Sequence, residues 1–310
     1  MKTSSPLLRL ASLLALGGLA WGLPSSFPCE AATLQDEPKE KPVEKPIERL
    51  TEWPAVEDKA ALKKDVARLR KAHTEEMGTQ AREALIAAGA AAGPALLFAL
   101  EKEKNDDARD RVVEVLEAIC DARHTRLLAA EFGSKSDRVR LFCLNRVALF
   151  PDAGVHEEAK GVYDKLLKKK DKADAKEKYA AALCIASAGD PVGLDVLLAA
   201  AGKHWKKRGA ALRAATVALR GNPESIALLT PHLGADAERN DKLAALRLLA
   251  TIGDSTVAKA YLPALLDQND NSLRIGAINA CRGIFDGAPP LDKLPVFEAI
   301  EKAKQWKARL

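Results

Sequence analysis

Side chains that could act as nucleophiles or metal ligands are few in this chain and share no common spacing. The histidines fall at irregular intervals, at His73, His124, His156, His204 and His232. No two cysteines have the Cys-x-x-Cys spacing of a metal or redox site, and no Gly-x-Ser-x-Gly motif or phosphate-binding loop is present. We therefore predict a protein that is not an enzyme and that holds no metal and no cofactor.

A recurring column of basic residues is the strongest candidate for a binding surface. Its members are Arg109, Arg140, Lys178, Ala210, Lys242 and Arg274, of which five are basic. Acidic residues often stand three or four positions earlier, as Asp106 does before Arg109, which is the spacing of intrahelical ion pairs. Two interpretations remain open: a structural ladder between helices, or a stripe that binds an acidic protein segment or an anionic polymer. Trp205, with basic neighbours on both sides, joins the five basic residues as a candidate for binding.

These residues sit on a regular repeat. Short breaks that carry Gly, Asp, Asn or Pro are separated by 32, 31, 38, 32, 32 and 32 residues, and they lie at Gly89, Asp121, Asp152, Asp190, Asn222, Asp254 and Asp286. A fixed period in this range indicates stacked supersecondary units. The longer third interval places an insertion in the Lys-rich stretch 165–178.

Each unit is expected to contain two helices with one apolar face each. Apolar residues recur seven and eleven positions after a break, as at Leu96 and Leu100, and five and eight positions before the next, as at Leu116 and Val113. Members of each pair are about one helical turn apart, so they share a face. Ala and Leu dominate the 47% hydrophobic fraction and only 5% of residues are aromatic, which favours an all-α fold.

The ends of the periodic region are expected to be a capping unit and a closing helix. Helices are predicted near 56–73 and 79–88 before the first break and at 291–308 after the last.

Three short motifs resemble short HEAT repeats of the phycobilin-lyase-like type. They are Gly93-Pro94-Ala95-Leu96-Leu97, Asp137-Arg138-Val139-Arg140 and Thr251-Ile252-Gly253-Asp254, and the resemblance covers roughly residues 55–290. It implies a right-handed α-α superhelical solenoid, similar to armadillo-like scaffolds, with the second helices on the concave surface. In such proteins the recurring Asp and Arg commonly tie neighbouring units together. Iron-dependent hydroxylases of HEAT architecture use several His-Glu pairs, whereas this chain has one, His156-Glu157.

The N-terminal stretch is interpreted as an export signal followed by a linker. Residues 1–32 combine the basic Lys2 and Arg9 with an apolar core over 10–23, shorter than the ~20 residues of a spanning helix. Residues 33–50 are rich in Pro, Lys and Glu and should be a disordered linker. We expect an exported, periplasmic or extracellular protein whose repeat domain covers 51–310, with membrane association only through an uncleaved N-terminal segment.

Four cysteines lie beyond the predicted signal, at Cys120, Cys143, Cys184 and Cys281. In an exported chain they could form two disulfides. Each lies among apolar neighbours in a predicted helix, so we expect buried thiols instead.

The sequence favours a non-catalytic interaction module that presents a concave surface to a protein partner. The net charge of +5, from 48 basic and 43 acidic residues, gives no reason to expect nucleic acid. A structural envelope protein is the alternative, and an enzyme or enzyme accessory subunit with a site near the third repeat is the weaker one.

Overall fold

The computed structural model describes residues 47–169 and 174–310, and within these ranges all of the regular secondary structure is helical. The predicted signal and the predicted linker as far as residue 46 lie outside the described residues. The described α-helices are α1 (Lys59–Arg70), α2 (Glu75–Ala88), α3 (Gly93–Lys102), α4 (Asp106–Ile119), α5 (Thr125–Ala130), α6 (Asp137–Leu149), α7 (His156–Lys168), α8 (Ala175–Ser187), α9 (Leu194–Thr216), α10 (Pro223–Leu229), α11 (Arg239–Ile252), α12 (Ser255–Leu266), α13 (Asn271–Asp286) and α14 (Val296–Arg309).

Helices pair in chain order, from α1 with α2 to α12 with α13, and in the fifth unit the two helices are the halves of α9, which meet at a kink at His204. The even-numbered helices α4, α6 and α8 and the odd-numbered α11 and α13 are the second helices of their units. Along the chain α6 packs on α8, α8 on α9, α9 on α11 and α11 on α13. Neighbouring units therefore share one continuous apolar core.

Five of the seven break residues of the sequence repeat accept backbone N–H groups at the start of a helix or of the short turn that leads into it, whereas Gly89 and Asp286 lie at the ends of α2 and α13. The Asp254 carboxylate accepts a hydrogen bond from the Val257 N–H at 2.9 Å, and the Asn222 side chain accepts one from Ser225 N–H at 2.9 Å. Asp121, Asp152 and Asp190 accept from backbone N–H groups two residues on. From Asp121 to Asp254 the period of about 32 residues therefore reflects recurring capping residues, because a helix leaves its first N–H groups without backbone partners.

Most members of the predicted apolar columns are buried in the core, Val113 and Tyr261 are partly buried, and the exposed exceptions lie in the fifth unit. Leu116, Val147, Ile185, Leu249 and Cys281 are buried as expected. Val217 is 56% exposed and Ala214 is also exposed, so the prediction is wrong at these two positions. In the fifth unit the helical backbone is interrupted at His204, and the second half of α9 tightens at its end into a 3₁₀ turn at Val217–Leu219.

The buried positions near the end of that unit differ from the predicted ones. Leu212, Ala215 and Leu219 fill the places that Ala214 and Val217 were expected to fill, and all three are buried.

Residues 47–57 form a strap across the turns between the first units. Leu50 N–H donates to Arg123 O at 2.8 Å, and Arg49 donates to Pro151 O at 3.0 Å and lies beside Asp152. The Trp53 indole stacks on the buried imidazole of His124 and lies against Gly93. Residues 47–50, assigned above to the linker, therefore contact the repeat body.

The four cysteines beyond the predicted signal are buried and unbonded, as expected. Burial raises the pKa of Cys120, Cys184 and Cys281 to about 12, which leaves them as unreactive thiols at neutral pH.

The stretch Glu75–Lys102 is long and apolar enough to cross a membrane by length and composition alone. It folds here as α2 and α3, separated at Gly89, where φ is +62°. Leu85, Leu96 and Leu100 from this stretch are buried in the repeat core.

Candidate functional site

A groove opens between the second helices α4 and α6, which do not pack closely on each other as the later second helices do. Its volume is about 410 Å³. Val113 from α4 and Leu141, Phe142 and Leu149 from α6 supply apolar surface, and the start of α8 closes one end. The groove is thus a gap in the stacking of the second helices.

At the two ends of the groove, two arginines of α6 donate hydrogen bonds to backbone carbonyl groups on either side of α4. At one end Arg138 of α6 donates to the carbonyl oxygen of Glu103, in the turn between α3 and α4. At the other end Arg146 of α6 donates through Nε to Cys120 O at 2.8 Å, just beyond the end of α4. Along the groove α6 presents Leu141, Asn145 and Leu149, spaced four residues apart and hence on one face.

The groove carries both signs of charge in equal number. Its lining includes four basic side chains (Arg109, Arg138, Arg146 and Lys176) and four acidic ones (Glu117, Asp137, Asp174 and Glu177). Leu149 is 48% exposed and Asn145 is exposed. An apolar strip bordered by both charges suits an amphipathic protein segment better than a polyanion.

Of the predicted binding residues, Arg109 alone lines this groove. Its guanidinium lies 2.9 Å from the Asp106 carboxylate, the intrahelical pair that the spacing predicts. Asp174 and Asp270 instead cap α8 and α13, so their carboxylates accept backbone N–H groups.

Three other members of the basic column hold the turn that precedes their own helix. Arg140 donates to Ser134 O at 2.6 Å, Lys242 to Ala235 O at 2.7 Å, and Arg274 to Gln268 O at 2.6 Å. Arg274 is only 8% exposed. Donors engaged in this way are less available to a ligand, so these contacts favour the structural interpretation for the three residues.

Arg140 also bridges two units. Its guanidinium donates to both carboxylate oxygens of Glu177, with Nη2 3.1 Å from Oε2, and Glu177 is 4% exposed. The hydrogen bond to Glu177 raises the pKa of Arg140 above its usual value. The pair ties α6 to α8 at the end of the groove.

Lys178 and Trp205 lie away from the groove in cation–aromatic contacts. The Lys178 ammonium is 5.9 Å from the centre of the Tyr163 ring. The Trp205 ring has the guanidinium carbons of Arg213 and Arg247 at 5.5 and 5.4 Å. Burial lowers the pKa of Arg247.

His156, the histidine of the single His-Glu pair, contacts a carboxylate in the turn that follows α8. Its Nε2 lies 2.9 Å from Asp190 Oδ2 and its Nδ1 lies 3.1 Å from Glu157 Oε1. Over residues 47–169 and 174–310, no three His, Cys, Asp or Glu side chains come together in a group that could hold a metal ion.

Asn145, Leu149, Arg138 and Arg146 are groove residues that the sequence analysis did not single out. The spacing of Leu141, Asn145 and Leu149 was a usable signal, because positions four apart share a helix face. The gap between α4 and α6 had no local signal, since it depends on how two distant helices stack. Comparison of the chain with protein families, with curated proteins and with solved structures gives no match.

Proposed function

We propose that this chain is a non-catalytic protein-interaction module that binds a segment of a partner protein in the groove between α4 and α6. The observation that carries the proposal is the groove itself. It is an open apolar strip between α4 and α6, whereas the later second helices pack closely on one another. An exposed leucine at its edge and a charged border are features of surfaces that bind proteins.

The wider setting of the proposal is a HEAT-like solenoid outside the cytoplasm. Paired helices with N-caps about 32 residues apart support a right-handed superhelix, in which α4, α6 and α8 would line the concave side. Export rests on the sequence of residues 1–32 alone.

A photo-crosslinking amino acid at Asn145 tests the proposal in native envelope extract. We expect a covalent adduct with a defined partner protein, because this exposed position faces the groove. In the same background Leu149→Asp should abolish the adduct, since it places a charge on the apolar strip.

Leu228→Asp is the matched control, because Leu228 lies on α10, away from the groove, and is 50% exposed against 48% for Leu149. The adduct should survive this change. An adduct that persists in the Leu149→Asp variant, or none at Asn145, contradicts binding in the groove.

A further inference from the structure

The second helices of the last three units carry basic side chains and almost no acidic ones. No acidic residue occurs in the intervals 196–223, 242–253 and 271–285, which hold the second half of α9, most of α11 and all but the last residue of α13. In contrast, α4 holds five acidic residues, at Asp106, Asp107, Asp110, Glu114 and Glu117. Because α9 packs on α11 and α11 on α13, this row of helices favours an anionic partner.

Two arginines of this row meet at one aromatic ring. The guanidinium carbon of Arg213, in the second half of α9, lies 5.5 Å from the centre of the Trp205 ring. The guanidinium carbon of Arg247, in α11, lies 5.4 Å from the same point. All three side chains are partly exposed, so a ligand can reach them. We name Trp205, Arg213 and Arg247 the Trp205 site.

A glycine sets the position of the indole. A Cβ atom on Gly209, one turn after Trp205, would lie 3.0 Å from the Trp205 ring. The absence of a side chain at residue 209 therefore lets the ring lie against the helix. In this position the indole contacts arginines from two neighbouring units, which fixes the geometry of the Trp205 site.

The two guanidinium groups lack carboxylate partners in the described part of the chain. Within residues 47–169 and 174–310, no Asp or Glu pairs with Arg213 or Arg247, whereas Arg140 and Arg239 each form such a pair. Arg247 donates through Nη1 to Ala201 O at 2.6 Å, and Arg213 donates no side-chain hydrogen bond to these residues. Most N–H groups of the two arginines are thus available to a ligand.

The half-buried charge of Arg247 has no negative group to offset it. Burial lowers the pKa of Arg247, because the charged form loses contact with water. The charge of Arg213 beside the same ring adds repulsion. An anion bound to both guanidinium groups would offset the burial and the repulsion together.

The geometry suits a carboxylate group of a protein better than a nucleic acid. A guanidinium that contacts an aromatic ring still presents N–H groups along its edge, and these match the two oxygens of a carboxylate. Single-stranded nucleic acid instead needs an extended basic track and a free ring for stacking. Trp205 lies against Gly209 and beside two guanidinium groups, so its ring is poorly placed to stack on a base.

We infer that the Trp205 site binds the carboxylate groups of an acidic segment of a partner protein. Arg213 and Arg247 hold the carboxylates through their N–H groups, and Trp205 keeps the two guanidinium groups in place. None of the three residues lines the groove between α4 and α6. Binding at the Trp205 site is therefore independent of binding in the groove.

Fluorescence polarisation with a labelled hexaglutamate peptide tests the inference on the purified full chain at low salt. We expect Arg213→Gln to weaken binding by about tenfold or more, because it removes a charged donor of the site. Arg213→Lys keeps the charge but lacks the planar fork, so we expect it to weaken binding by about threefold or more.

Lys259→Gln is the matched control, because it removes one positive charge from an exposed side chain of α12, away from Trp205. It should weaken binding less than about twofold, since separated surface charges are screened. Circular dichroism melting curves establish that the variants fold.

Three outcomes overturn the inference: no binding of hexaglutamate by the wild type, equal losses in Arg213→Gln and Lys259→Gln, or tighter Arg213-dependent binding of a single-stranded oligonucleotide than of hexaglutamate. Leu149→Asp should bind hexaglutamate as the wild type does, so failure of the Trp205 site is distinguishable from failure of the groove.

Discussion

At the scale of single residues, arginine side chains close the ends of helices in neighbouring units. Arg111 donates to Leu69 O at 2.9 Å, Arg146 to Cys120 O at 2.8 Å, and Arg247 to Ala201 O at 2.6 Å. Arg220 donates to Thr251 O and to Gly283 O. The last carbonyl groups of a helix have no intrahelical donor and carry partial negative charge, so a guanidinium is a suitable partner. Each contact joins two helices that are distant in sequence.

Arg146→Met tests one of these contacts. It keeps most of the apolar stem but leaves the carbonyls of Glu117 and Cys120 without their charged donor, so we expect a loss of about 2 kcal/mol in the free energy of unfolding. Arg126→Met is the control, because Arg126 is half exposed and pairs only with Asp152, and it should cost less than about 1 kcal/mol. Urea denaturation measures the free energy of unfolding of both variants. Equal losses would show that the hydrogen bonds from Arg146 to α4 stabilise the protein no more than an exposed ion pair does.

At the scale of helices, close approach of two second helices depends on a glycine. A Cβ atom on Gly283 of α13 would lie 2.1 Å from the carbonyl oxygen of Ala250 in α11, a distance that real atoms do not reach. A side chain there would force the two helices apart and disturb the buried Leu246 and Ile278.

Gly283→Ala should therefore destabilise the protein by about 3 kcal/mol or more, although alanine is the better helix former. Gly161→Ala is the comparison variant, and we expect the opposite effect from it. A Cβ atom on Gly161 of α7 meets nothing within 4 Å. It should raise the free energy of unfolding by up to about 1 kcal/mol. Thermal melting followed by circular dichroism compares the two, and a harmless Gly283→Ala would refute the close approach.

At the scale of the whole repeat body, the strap 47–57 couples units that are otherwise joined only through their neighbours. Its contacts reach Gly93, the Asp121 turn and the Asp152 turn, so a short segment spans three successive units. In a repeat protein each unit mainly senses adjacent units, and a strap that crosses three of them extends this range.

Trp53→Ala should loosen the N-terminal units and leave the C-terminal units unchanged. The loss of the indole uncovers Gly93 and the buried His124, so amide hydrogen exchange should accelerate around residues 89–125. Exchange at 254–286 should stay as in the wild type. Trp306→Ala, which removes the stack on Phe285 at the other end, should give the reverse pattern. Uniform acceleration in either variant would mean that the body opens as a single unit.

The sequence by itself determined the helix pairs, their caps and most of the core, because these features depend on residues close together in the chain. Asp254 caps α12 and Leu249 is buried on α11 for reasons visible within one unit. The same local spacing correctly placed the Asp106–Arg109 pair. It failed at Val217, because the end of α9 tightens into a 3₁₀ turn in which Val217 is exposed and Leu219 is buried.

Only the tertiary structure decided which surfaces remain open. Arg109, Arg140 and Arg274 occupy equivalent positions in the sequence repeat. Arg140 and Arg274 donate hydrogen bonds within the fold, whereas Arg109 lines the groove. The physical reason is that helix formation depends on neighbours along the chain, whereas a groove depends on the stacking of helices that are far apart in it.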